Sequence, residues 1–402
     1  MLFIMIISNH VAILFIFGQA LIMHYKRLLN LKQDIHKKSL FLFGPRQTGK
    51  TSLLKEQFPG APFYNLLLAD VFLKVSQRPH VIREELQTRR GNVSPVIIDE
   101  IQKLPLLLDE VQAMIEEKKY RFIVTGSSAR KLKHGGGNLL AGRAWTHHLF
   151  PLTTSEIKEY DFLRILNYGS LPFIYTSSDP ERELAAYVGT YLQEEIQAEG
   201  LTRKIENFSR FLQVASLANG ELINFSNIAS DAQVPPRTVS GYFAILQDTL
   251  IGNLLEPFTA TKKRKAILTS KFYFFDVGVS NYLAGRKNIR PQTDLFGKVF
   301  EHFLFTELKA FLSYTQDSRK FSFWRSASGY EVDFLIGDEV AIEVKGTTMV
   351  SEKHLTGLKA LSEEKKLKRK IVISLDSVPR RIGDIDVLPF RDFLAQLWSG
   401  DI

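Results

Sequence analysis

A chain of 402 residues, 45% hydrophobic and 24% charged, is too long for one ordinary domain and too balanced for a disordered or fibrous polymer, so two or three globular domains are expected. The lack of any cysteine excludes disulfides, thiolate nucleophiles, iron–sulfur clusters and cysteine-ligated zinc, and suits a reducing cytoplasm. With 52 Lys and Arg against 43 Asp and Glu, the formal charge is +9, a mild excess compatible with nucleic acid or anionic lipid as a partner.

Residues 1–22 form an apolar extension. The stretch MLFIMIISNHVAILFIFGQALIM has no Lys, Arg, Asp or Glu and is long enough to cross a bilayer as a helix. Lys26, Arg27, Lys32, Lys37 and Lys38 follow it, as the positive-inside rule asks of an anchor whose body stays in the cytoplasm. Ser8, Asn9, His10 and Gln19 interrupt the apolar run, and a basic n-region and a small-residue cleavage site are missing. Two readings follow. Either residues 1–22 are translated and anchor the protein to a membrane, or the start codon lies at Met23 and the protein is cytoplasmic.

The next stretch, SLFLFGPRQTGKTSLLKEQF, predicts a strand over Leu40–Phe43, a glycine-rich loop and a helix. Residues 44–51 fit G-x-x-x-x-G-K-[ST], the phosphate-binding loop. Gly44 and Gly49 let the backbone fold around a phosphate, and the loop residues Pro45, Arg46, Gln47 and Thr48 lead to a helix N-terminus whose amides face it. Lys50 would reach the β- and γ-phosphates of ATP, the Thr51 hydroxyl would ligate Mg2+, and Ser52 continues the site. Further on, SPVIIDEIQKLP is a buried apolar strand ending in two carboxylates, placed where open α/β sheets hold their ligands. Asp99 would hold the Mg2+ shell and Glu100 would polarise the attacking water.

A third strand, YRFIVTGSSARKL, ends in Thr125, Ser127 and Ser128, polar groups fit to sit beside the γ-phosphate, with Ser127 placed in the ATP site. The glycine run at 134–137 resembles an esterase oxyanion loop, but no G-x-S-x-G elbow exists to pair with it, so it is read as a plain loop. Arg143 is a candidate for stabilising the transferring phosphoryl group, in its own subunit or from a neighbour in a self-associated form; a surface ion pair is the alternative.

The phosphate loop, IIDEIQKLP, TGSS and the LAGR stretch running on to PLTTSE together resemble a bacterial and archaeal group of AAA-type P-loop ATPases. Its members carry a C-terminal domain of unknown function with a nuclease-like fold. The resemblance spans roughly residues 24–402. It implies an α/β protein: an ATPase core with a parallel P-loop NTPase sheet (23–160), a helical lid (161–204), a winged-helix segment (205–285) and an α/β restriction-endonuclease-like tail (286–402).

The residues of the second half agree with that order. From Pro180 to about Leu217 the apolar spacing is helical. FSNIASDAQVPPRTVSGYFAILQDTLI predicts helix, turn and helix, with Arg237, Thr238, Ser240 and Tyr242 offered to a groove. Two strands around the basic turn Lys262, Lys263, Arg264 and Lys265 follow, a candidate surface for DNA phosphates; a solvated charged face is the alternative.

In the tail, Phe296, Val299, Phe300, Phe303, Leu304 and Leu308 make the apolar stripe of a helix, with Glu301 off its centre. Three strands come next. Asp333 shares a face with Glu331 and Leu335 in the second, and Glu343 with Lys345 in the third. If the turn is Gly337–Asp338–Glu339, residue 336 opposes 340 and Asp333 opposes Glu343, so that Asp333, Glu343 and Lys345 gather on one face; a two-residue turn would separate them. Helix Glu, strand Asp, then E-x-K is the order of the PD-(D/E)-x-K nucleases, which this tail resembles. That resemblance implies a divalent cation on Asp333 and Glu343, Lys345 activating water, and Glu301 completing the centre. His302 stands where the group typically has Asn. The leading expectation is an ATP-hydrolysing protein whose nucleotide state controls a tail acting on DNA. The alternative is an ATP-gated regulatory or assembly switch with a catalytically silent nuclease-like scaffold.

Overall fold

In a computed structural model the described residues are 3–8, 11–15, 22–89, 95–117, 120–128, 140–192 and 205–402. The apolar N-terminus forms strands: β1 (Phe3–Ser8), β2 (Val11–Phe15) and β3 (Ile22–Tyr25) pair antiparallel in that order. Among the described residues no helix is long and apolar enough to cross a membrane.

The phosphate loop grows out of a five-stranded parallel sheet. Its strands are β4 (Ser39–Phe43), β5 (Phe63–Asn65), β6 (Val96–Asp99), β7 (Phe122–Gly126) and β8 (Ala144–His148), in the order β5-β6-β7-β4-β8. β4, β6 and β7 are buried along their whole length, which is why they read as unbroken apolar runs rather than alternating ones. Phe41, Phe43, Ile98 and Val124 pack on one face with Leu107 and Val111, while Leu40, Leu42, Ile97 and Ile123 pack on the other with Leu53 and Leu54. Each such side chain taken fully from water contributes about 1.5–3 kcal/mol. The two layers fix β4 at the interior of the sheet, so the loop at its C-terminal end rests on a rigid base.

The middle of the chain is helical. Phe162–Tyr168, Pro172–Thr176 and Pro180–Ala186 are capped at their starts by Asp161, by a proline in the first turn, and by Asp179, which satisfies orphan amides there. The last of these continues as a π-type coil through Tyr187–Leu192. The helical expectation over residues 193–204 lies outside the described residues, as does the glycine run at 134–137. Helices Ile205–Leu217, Phe225–Ala232 and Pro236–Asp248 then surround a core that includes Phe208, Phe211, Val239 and Phe243. Tyr242 is 7% exposed and belongs to that core, against the expectation that it faces a groove; Phe208 and Phe211 hold its ring.

An eight-stranded sheet completes the molecule. In chain order its strands are β9 (Gly252–Pro257), β10 (Lys271–Phe274), β11 (Phe321–Arg325), β12 (Glu331–Ile336), β13 (Val340–Val344), β14 (Arg369–Ser374), β15 (Arg380–Ile382) and β16 (Ile385–Pro389). Their order in the sheet is β10-β9-β11-β12-β13-β14-β16-β15. The β9–β10 hairpin of the middle segment is thus an edge of the tail's sheet, with β9 parallel to β11. The 19-residue helix Phe296–Tyr314 covers one face through Phe300, Phe303 and Leu304 against Phe334, Ile342 and Ile371. Helix Thr356–Ser362 covers the other through Leu358 and Leu361.

Candidate functional site

Positive φ angles at Gln47 (62°) and Gly49 (93°) turn the phosphate loop into the helix Lys50–Gln57. Gly44 is required by a close approach, since a Cβ there would lie 2.4 Å from the Leu149 carbonyl oxygen. Lys50 is buried, and its Nζ donates to the carbonyls of Gly44 (2.7 Å) and Pro45 (3.1 Å). The Thr51 hydroxyl donates to Asp99 Oδ2 at 2.8 Å, and Thr125 Oγ1 donates to the other oxygen of the same carboxylate. The two groups expected to hold Mg2+ are therefore within one hydrogen bond of each other, close enough to share a cation.

Glu100 follows Asp99 in a left-handed conformation, φ 64°, which is uncommon away from glycine and frequent at functional sites. Its backbone N–H donates to Thr125 Oγ1 at 3.1 Å. Gln102 Nε2 donates to Glu100 Oε2 at 2.5 Å and to Ser127 Oγ at 2.9 Å, tying two expected site residues through a third that pattern reading passes over. Arg46 and Gln47 are half-buried, and the Tyr187 hydroxyl donates to the Arg46 carbonyl at 3.4 Å. Ser52 is exposed on the first helical turn. Arg143 pairs with Glu116 at 2.8 Å, the side chains 37% and 49% exposed, which is the surface ion pair weighed as its alternative.

Arg27 fastens this loop to the tail. Its side chain is 5% exposed. It donates to the Thr48 carbonyl (2.5 Å), the Phe150 carbonyl (2.7 Å), Glu156 Oε1 (2.9 Å) and the Tyr314 hydroxyl (3.1 Å). Thr48 is in the phosphate loop and Tyr314 ends the long tail helix. About two turns back on that helix, buried Glu307 accepts from Thr154 N–H (2.8 Å), Thr154 Oγ1 (2.9 Å) and Trp398 Nε1 (2.8 Å). Burial pushes the Glu307 carboxyl up to about 7, against those donors. A cavity of about 240 Å³ lies between loop and helix, lined among others by Gly44, Pro45, Phe150, Phe305 and Lys309.

The tail gathers its own cluster. The β12–β13 register is Ile336↔Val340 and Phe334↔Ile342, the three-residue turn expected of Gly337–Asp338–Glu339. β12 also carries an extra residue against β11, because Ser322 opposes Leu335 while Trp324 opposes Val332. Val332 and Leu335 consequently both face the helix Thr356–Ser362 side, and the expected face-sharing of Asp333 with Leu335 gives way to this bulge, which re-aims a side chain. Asp333 Oδ2 accepts the Val344 N–H at 2.8 Å, just beyond the end of the ladder. Lys345 Nζ lies 2.6 Å from Glu343 Oε1, and Glu343 Oε2 is buried without a hydrogen-bond partner. Burial raises Asp333 to about 6, helped by Glu301, and burial with Asp333 nearby holds Glu343 well above the carboxylate range.

Glu301 is taken by groups that pattern reading missed. Lys271 Nζ lies 3.0 Å from it and Tyr273 donates to its Oε1 at 2.5 Å. Lys271 also lies 2.7 Å from Glu331 and 3.9 Å from Asp333. Among the described residues no three His, Cys, Asp or Glu side chains are grouped to hold a metal ion, so a cation here would rest on the pair Asp333 and Glu343, and the orphaned Glu343 oxygen fits that use. His302 points away from the cluster: it is buried between Asn219 (3.1 Å from Nδ1) and the Phe274 carbonyl (2.7 Å from Nε2), and burial lowers it to about 4, so it stays neutral.

Of the basic side chains, Arg237 is exposed, as are Lys262, Lys263 and Lys265. Arg264 is different. It pairs with Glu363 at 2.7 Å and Glu364 at 3.0 Å, while Glu364 also accepts the backbone N–H of Lys262 and Lys263. Its charge is answered within the protein, and the turn is fastened to the tail.

Comparisons with known proteins give this arrangement a class. Residues 36–158 match the profile of an AAA domain, and with the loop and sheet above the chain contains a P-loop AAA-type ATPase domain. Residues 159–290 and 296–393 match two domains of unknown function, DUF8612 and DUF4143. No curated protein sequence matches the chain. Among solved structures it is similar to the ORC1 protein of Aeropyrum pernix in complex with DNA, at 14% identity over 64% of this chain and 93% of that chain, TM-score 0.25. It is also similar to a signal transduction ATPase with numerous domains and a tetratricopeptide repeat sensor from Pyrococcus horikoshii, at 16% identity over 72% of this chain and 47% of that one, TM-score 0.24. Likenesses this distant carry no functional assignment.

Proposed function

We propose that this chain binds and hydrolyses ATP and that its nucleotide state controls a winged-helix and nuclease-like tail acting on DNA. The observation that carries the reading is Arg27, whose guanidinium joins the Thr48 carbonyl of the phosphate loop to the Tyr314 hydroxyl of the tail helix. A loop that reshapes around phosphates pulls on that bond.

Each residue then has a role. Lys50 exchanges the carbonyls of Gly44 and Pro45 for the β- and γ-phosphates, while Gly44–Ser52 supply the backbone cradle. Thr51 and Asp99 hold Mg2+, whose chemistry is to neutralise phosphate charge. Glu100, steadied by Gln102, takes the proton of the attacking water, and Ser127 registers the γ-phosphate through the same glutamine. Arg143 would act from its surface position on a neighbouring subunit in a self-associated form. In the tail, Asp333 and Glu343 hold a divalent cation and Lys345 orients water at a scissile phosphate. Helices Phe225–Ala232 and Pro236–Asp248 serve as a helix–turn–helix, with Arg237, Lys262, Lys263 and Lys265 on DNA phosphates.

The lack of a three-ligand metal group among the described residues favours a second reading, an ATP-gated switch with a silent scaffold. Incubating linear and supercoiled DNA with Mg2+ or Mn2+, with and without ATP, decides between them. The proposal expects cutting that disappears in Asp333→Ala and loses its ATP dependence in Lys50→Ala. ATP turnover with no cutting under any condition would hand the case to the switch.

A further inference from the structure

Lys271 lies outside the tail's own residues. It opens β10, the edge strand supplied by the middle segment. Its side chain is only 4% exposed, yet it ends among three carboxylates: Glu331 at 2.7 Å, Glu301 at 3.0 Å and Asp333 at 3.9 Å. The Phe323 ring closes over it, 5.4 Å from Nζ. Burying an ammonium costs several kcal/mol unless it is surrounded by opposite charge, on the order of the penalty for any ion taken from water. Here it is so surrounded, by a helix and a strand at once.

The result is a division of the carboxylates. Glu301 and Glu331 turn to Lys271, and Tyr273 from the same strand adds a donor to Glu301. Asp333, whose Oδ1 stands off from Lys271 at 3.9 Å, and Glu343 are left for anything else. Of their oxygens, Asp333 Oδ2 takes the Val344 amide, Glu343 Oε1 takes Lys345, and Glu343 Oε2 is buried with no hydrogen-bond partner. A buried carboxylate oxygen without a donor is a place where a hard cation is favoured.

We propose that Lys271 is the permanent second cation of this centre, so that the tail takes a single divalent ion, on Asp333 and Glu343, while Glu301 is a ligand of Lys271 and not of the metal. The inference rests on reading the tail as a metal-dependent centre. It makes Lys271 a positioning residue through which the middle segment completes a site otherwise built from the tail. A two-ion centre, which clamps both the attacking and the leaving oxygen, becomes a one-ion centre with a fixed ammonium in the other position.

The test is Mn2+ binding by the full chain without nucleotide, carrying Asp99→Asn to remove the phosphate-loop cation site. Calorimetry is expected to give one ion, lost in Glu343→Gln, and two in Lys271→Met, where Glu301 and Glu331 are released. Because Lys271→Met leaves carboxylates unpaired and can fail to fold, electron paramagnetic resonance of the chain with Lys271 intact and saturated with Mn2+ is the companion measurement, with an uncoupled single-ion spectrum expected. A spin-coupled pair there, or a single ion still in folded Lys271→Met, overturns the proposal while leaving the metal-dependent reading standing. No Mn2+ binding that depends on Glu343 removes both together.

Discussion

Asp99 receives Thr51 on one oxygen and Thr125 on the other, so its position is set from three strand or helix ends at once. Lys50 donates to the Gly44 and Pro45 carbonyls of its own loop. Lys50→Ala is predicted to abolish ATP binding, measured with a fluorescent nucleotide; affinity equal to the parent would contradict the site. Gly44→Ala is predicted to cost about 1–3 kcal/mol of stability, the usual range for overpacking, because the new methyl meets the Leu149 carbonyl at 2.4 Å. A thermal melt indistinguishable from the parent would show that the loop is looser than this. The loop residues and Asp99 were legible in the sequence because their chemistry is local: a motif, and a strand that ends in a carboxylate. The Gln102–Ser127 and Lys271–Glu301 links were not, since they join residues 25 and 30 apart in the chain and nothing in a one-dimensional pattern brings them together.

Helix Phe296–Tyr314 and the β12–β13 hairpin show the same divide between elements. The helix and the three strands after it follow from period and turn length, and the register at Ile336↔Val340 is that of the three-residue turn. The bulge in β12 does not, because it is set by what packs on each face: Val332 and Leu335 both go to one core while Phe334 goes to the other. At this scale Glu307 makes a pH prediction. Burial raises its carboxyl from 4.5 to about 7, so the folded state favours the protonated form. Its stabilising effect is complete below pH 4.5, declines as pH rises towards 7, and is gone above that, a loss of up to about 3 kcal/mol. Glu307→Gln, neutral throughout, should flatten that part of the profile in chemical denaturation at stepped pH. An equally steep decline between pH 4.5 and 7 in the variant would assign the effect elsewhere.

For the molecule as a whole, the sequence marks a sheet, a helical middle and a second sheet, and the strands and helices fall in that order. It does not reveal that β9 and β10 leave the middle segment to form the edge of the tail's sheet, or that Arg27, among the basic residues after the apolar N-terminus, is buried against Thr48 and Tyr314. Tyr314→Phe removes the acceptor of both Arg27 and the Phe150 N–H at a cost of about 1–2 kcal/mol, so the variant is expected to fold and to bind ATP. The most direct measurement is hydrogen exchange along Phe296–Tyr314, with and without saturating ATP and Mg2+, in the parent and in Tyr314→Phe. Coupling predicts that ATP alters exchange in the last turns of the helix in the parent and that the change shrinks in the variant. Protection appearing at residues 44–51 with the helix untouched in both proteins would contradict it.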